Sequence, residues 1–75
     1  MTQRLPAVTV RQLARVLQKK GWQLHRTKGS HQHYFHPDRS ALITVPVHTG
    51  SLKRGLLARI LKDAGVSREE FLELL

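Results

Sequence analysis

The chain has seventy-five residues, enough for one thin-cored domain, because a chain of this size buries only about 60% of the surface its unfolded form exposes. An active site on it should therefore be shallow and lie on a face. The absence of cysteine excludes disulfides, thiolate catalysis and Cys-type zinc sites. The lack of cysteine fits a reducing cytoplasm; no apolar run approaches the roughly 20 residues that span a bilayer, and no secretory h-region follows the start, so neither a membrane span nor a signal peptide is expected. The formal net charge is +8, unevenly placed: residues 1–62 carry twelve Lys and Arg and one acid, and residues 63–75 carry one base and four acids. Such a basic body implies a polyanionic partner, nucleic acid first. An anionic membrane is the lesser candidate, since no basic amphipathic helix carries Trp or Phe on its apolar side.

Residues 1–8 read as an N-terminal arm, and residues 9–75 as a single domain. Thr9 and Gln12 form a capping box, and Val10, Leu13, Ala14 and Leu17 follow at helical spacing. Lys19, Lys20 and Gly21 suit a helix end, so the first helix is placed over residues 10–20. In 22–27, Trp22, Leu24 and Arg26 alternate with Gln23, His25 and Thr27, the pattern of a strand. Lys28-Gly29-Ser30 is turn chemistry, with Gly29 free to take positive φ. A second strand over 31–36 puts His31, His33 and Phe35 on one face and Gln32, Tyr34 and His36 on the other. A turn at 37–40 leads to a short β-branched strand over 41–45. Leu52, Leu56, Leu57, Ile60, Leu61 and Ala64 form a second helical stripe ending at Gly65, and the capping box of Ser67 and Glu70 starts a short last helix. The fold class is α+β in the order α-β-β-β-α-α, with helices on one face of a three-stranded antiparallel sheet and the other face open.

Five histidines, His25, His31, His33, His36 and His48, are the chemical signal. Imidazole takes and gives protons near neutrality. RNA carries its own nucleophile, the 2′-hydroxyl beside each phosphate, so its cleavage requires a base, an acid and cations but no obligatory metal. His31, at the start of a strand and close to Arg26 and Lys28, meets that need. His31 and His33 alone make a poor zinc site, because no cysteine exists and Asp38, in a turn, is the only acid before residue 63. Neither a metal nor a small-molecule cofactor is expected. Trp22 reads as core. Tyr34 reads as an exposed ring for stacking on bases if Phe35 packs under the helices. Strict alternation would then turn His31 inward with Phe35, unless the turn at Gly29 redirects it. Ser30 lies beside His31, but strand neighbours point to opposite faces, which argues against a Ser–His couple.

The segments Leu17–Trp22, Lys28-Gly29-Ser30-His31, His36-Pro37, Thr44-Val45-Pro46-Val47-His48, Gly55-Leu56-Leu57 and Ile60–Gly65 together resemble the HicA toxin family, over about residues 9–72. The resemblance implies a fold like the double-stranded-RNA-binding domain and an endoribonuclease, an mRNA interferase acting without a metal. It further implies a bacterial or archaeal cytoplasmic setting and inhibition by a HicB-type antitoxin that covers the basic active face. The histidine of its Gly-Ser-His triplet, here His31, is the catalytic residue of that family. Arg26, Lys28, Gly29, Ser30, His33 and His48 are the RNA-binding candidates, and His33 and His48 are also candidates to share proton transfer with His31. Family members usually carry Thr after the glycine that precedes the second helix. Leu56 stands there instead, which shifts the expected N-cap to Ser51. The rival class is a non-catalytic RNA-binding module of the same fold, which would read duplex shape and need no special histidine.

Overall fold

Thr9 caps the first helix as its spacing with Gln12 requires. Its hydroxyl accepts from the Gln12 N–H, and the Gln12 side chain accepts from the Thr9 N–H at 2.9 Å. In the computed structural model, which describes residues 4–47 and 49–75, helix α1 runs Val10–Lys19 and buries Val10, Leu13, Val16 and Leu17. Strands β1 (Gln23–Lys28), β2 (His31–Phe35) and β3 (Ile43–Pro46) follow, then helices α2 (Arg54–Ala64) and α3 (Arg68–Leu74). The order matches the α-β-β-β-α-α expectation, and the fold is α+β, consistent with the double-stranded-RNA-binding arrangement.

The sheet is antiparallel in the order β1-β2-β3. Tyr34, Ile43 and Val45, from one face, join Leu13, Leu17, Trp22, Leu57, Ile60, Leu61 and Phe71 in one core. Residues 4–8 form no helix or strand, but Leu5 and Val8 are buried in that core. Trp22 is buried as expected, its indole N–H directed at the Ala64 carbonyl at 3.4 Å. Its ring edge meets His36, which clasps the end of α1 to the β2–β3 turn. His36 Nδ1 accepts the Asp38 N–H at 3.0 Å, and Nε2 lies 3.1 Å from the Lys20 carbonyl. That pair of bonds fits the neutral ring with its proton on Nε2, a structural use for a third histidine of the hairpin region.

Three expectations are corrected. Tyr34, not Phe35, is the ring under the helices: Tyr34 is 2% exposed and opposes Ile43, whereas Phe35 is half-buried on the other face. Tyr34 keeps its hydroxyl satisfied by donating to Gln32 Oε1 at 2.9 Å, and burial raises its pKa. The third strand starts at Ile43 rather than residue 41, because pairing begins with Ile43 opposite Tyr34, and Leu42 is exposed. Ser51 is not the cap of α2. It lies in a bridge with Thr9, and the Leu52 N–H donates to the Val8 carbonyl at 2.8 Å, so this segment is held extended. The helix begins after Lys53, without a side-chain cap, and Leu56 sits inside its first turn, packed against the core. Gly65 ends α2 at φ 72°, the left-handed conformation glycine adopts freely.

Candidate active site

The face of the sheet that turns away from the core is set by register. Residues directly opposite on antiparallel strands project to the same side. Lys28 opposes His31, which opposes Pro46; Arg26 opposes His33, which opposes Thr44. These six residues therefore share one face, in two adjacent rows. Gln32, Tyr34, Ile43 and Val45 occupy the other face, and the last three are buried. The clash between His31 and a buried Phe35 disappears, because Phe35 belongs to the open face together with His31 and His33. The edge of its ring meets His25, with centroids 5.8 Å apart.

A bulge in β1 makes this arrangement possible. Leu24 opposes Tyr34 and Arg26 opposes His33, so His25 is an extra residue between two regular pairs. The sequence pattern places Leu24 and Arg26 on one face, and the structure separates them. Leu24 lines a cleft of about 570 Å³ with Val10, Ala14, Tyr34 and Val47 on the helix side, while Arg26 and Lys28 reach the histidine side. No described histidine lines that apolar cleft.

The turn between β1 and β2 has two residues. Gly29 takes φ 57° and no non-glycine residue described has positive φ, which is the pattern of a type II′ turn with glycine at its first central position. The Ser30 carbonyl accepts the Val47 N–H at 2.6 Å, which ties the turn to the end of β3. His31 is exposed at the start of β2, and among the described residues its ring has no hydrogen-bond partner. His33, in the next row, is half-buried, and its Nδ1 lies 3.0 Å from Thr44 Oγ1. No Asp or Glu lies on any of the three strands. Arg26 and Lys28 thus give the face a positive potential that no strand carboxylate offsets.

The structure therefore brings His31, His33, Arg26 and Lys28 onto one surface, with Gly29 and Ser30 in the adjoining turn. His48 lies outside the described residues. Thr44 and His25 share this face and were missed as site residues. Strand parity relative to β2 was the signal for Thr44, and no local signal places His25, because a bulge has none here. Among the described residues, no group of three or more His, Asp or Glu could hold a metal ion.

Residues 10–66 match the family model for the HicA toxin of bacterial toxin–antitoxin systems. The chain belongs to the HicA toxin family. The matched span contains all three strands, α1, α2 and the whole histidine face; α3 lies beyond it. No curated protein matches the chain. Membership makes the chain one of the toxins of toxin–antitoxin pairs, and no described helix is long and apolar enough to cross a membrane.

Proposed function

We propose that this HicA-family chain is a cytoplasmic endoribonuclease toxin that cleaves mRNA without a metal, using His31 as its proton-transfer residue. His31 takes the proton of a 2′-hydroxyl, the oxygen attacks the adjacent phosphorus, and the bond to the 5′-oxygen breaks. The products are a 2′,3′-cyclic phosphate and a 5′-hydroxyl end. Arg26 and Lys28 neutralise the phosphate, whose negative charge is drawn to cations on an open face. Gly29 and Ser30 shape the tight turn that starts β2 at His31, and their amides are available to phosphate oxygens. His33 adds a second imidazole to the RNA-binding surface, and the family resemblance makes His48 a further RNA-binding candidate. A HicB-type antitoxin that covers this basic face would both neutralise its charge and occlude His31.

The observation that carries the reading is the register of the β1–β2 hairpin. It sets Lys28 opposite an exposed His31 and Arg26 opposite His33, on strands without a carboxylate. The test is cleavage of single-stranded RNA in EDTA by the wild-type protein and by His31→Ala. Cleavage by wild type, slowed about 10²-fold or more in the variant, is expected. Equal activity in both would remove His31 from the mechanism. RNA binding by both without cleavage would favour a non-catalytic RNA-binding module.

A further inference from the structure

We propose that His33, oriented by Thr44, is the general acid that protonates the leaving 5′-oxygen while His31 acts as the base; this rests on the ribonuclease reading above. The geometry has three parts. His31 and His33 are two positions apart on one strand and share the open face, so their backbones are about 7 Å apart along β2. In-line displacement puts the entering and leaving oxygens on opposite sides of phosphorus, so two proton-handling groups must be separated along the surface rather than stacked at one point. Successive same-face positions of a strand supply that separation.

The second part is the contact at Nδ1. Thr44 Oγ1, 3.0 Å from His33 Nδ1, belongs to the residue directly opposite on β3. A hydroxyl both donates and accepts. It accepts from Nδ1–H when the ring is an imidazolium, which leaves Nε2–H as the remaining donor, and it goes on accepting from Nδ1–H in the neutral ring after the Nε2 proton has left. Thr44 thus holds the ring plane through both protonation states, without the charge by which a carboxylate would favour the imidazolium. The third part is the charge around the ring. Arg26 opposes His33 on β1, Lys28 and His31 lie in the next row, His25 lies across the bulge, and β3 offers no charged residue. A bound phosphate would therefore lie between the two histidine rows, with a cation in each.

The step balances without a further reactant. His31 gains the 2′-proton as the bond from O2′ to phosphorus forms. The bond from phosphorus to O5′ breaks, and O5′ takes the His33 proton. Exchange with water restores both rings.

The test compares an oligoribonucleotide that wild type cleaves with the same molecule carrying sulfur in place of the 5′-oxygen at the cleaved linkage, because a thiolate leaves without protonation. His33→Ala and His33→Gln, the latter keeping a polar partner for Thr44, are expected to slow cleavage of the natural linkage by about 10²-fold or more. Both should return to near the wild-type rate on the sulfur linkage, whereas His31→Ala stays slow on both. Thr44→Val is expected to move the high-pH limb of the rate profile while RNA affinity stays unchanged, the mark of a positioning residue. His33 variants that cleave the natural linkage at the wild-type rate, or that are slowed equally on both linkages, would overturn the assignment and leave the ribonuclease reading standing. A wild-type protein that cleaves no RNA would overturn both.

Discussion

The two faces of the sheet carry opposite chemistry on alternate residues of the same strands. In β2, Tyr34 is buried under the helices, while its neighbours His33 and Phe35 are half-buried on the open side. The covered face meets the helices through Ile43, Val45 and Tyr34 and contributes stability by removing apolar surface from water. The open face is lined by the exposed Arg26, Lys28 and His31 and by the half-buried His33, with no strand carboxylate to pair with. Because side chains alternate with a period of two, one strand serves both purposes without compromise: a change on one face should leave the other nearly untouched.

That separation is strongest where Tyr34 and His31 are compared. Tyr34→Ala is expected to cost about 3–5 kcal/mol, as truncation of a buried aromatic does, which for so small a domain approaches loss of the fold. His31→Ala should change stability by no more than about 0.5 kcal/mol while slowing cleavage about 10²-fold or more. Urea titration of both variants checks this, and a His31 variant that unfolds as easily as Tyr34→Ala would break the division of faces.

A smaller effect is expected from the cations. Replacing Arg26 and Lys28 together by Ala should weaken binding of single-stranded RNA and lower the slope of log K against log salt by about 0.7 for each phosphate no longer neutralised. Fluorescence anisotropy at several salt concentrations measures it. An unchanged slope would place the RNA elsewhere on this basic chain.

The smallest effect lies on neither face, at the packing of α3 on α1. Lys20 donates to Glu70 and, with the Ser67 N–H in the capping box, holds the Glu70 carboxyl below its ordinary value of about 4.5. A carboxylate with a lowered folded pKa contributes stability that is present above about 4.5 and lost as pH falls through the folded value. Glu70→Gln should therefore flatten the decline of Tm below that pH and leave the histidine face active. Both partners are about one-third exposed, 34% and 39%, so the change should be slight. A variant with the wild-type acid limb would show that this pair contributes nothing to it.

Local signals were legible where physics is local. Thr9 with Gln12 and Ser67 with Glu70 announce caps because each box satisfies its own helix's unpaired N–H groups within four residues, and both boxes form. Gly65 and Gly29 announce left-handed turns for the same reason. The histidine-rich hairpin beside two cations was also visible, as was its family resemblance. The start of α2 was not, because Ser51 competes for two roles and its bridge to Thr9 depends on a segment distant in the chain.

The sequence by itself determined the element order, the helix ends other than the start of α2 and the presence of imidazoles and cations in one hairpin, since each follows from neighbours within a turn or two. Only the tertiary structure decided which parity of β2 meets the helices and on which side Arg26 and Lys28 emerge. Alternation divides a strand into two sets but does not say which set is inside. That choice comes from pairing Tyr34 with Ile43, and from the single extra residue at His25, which puts Leu24 and Arg26 on opposite sides of the sheet.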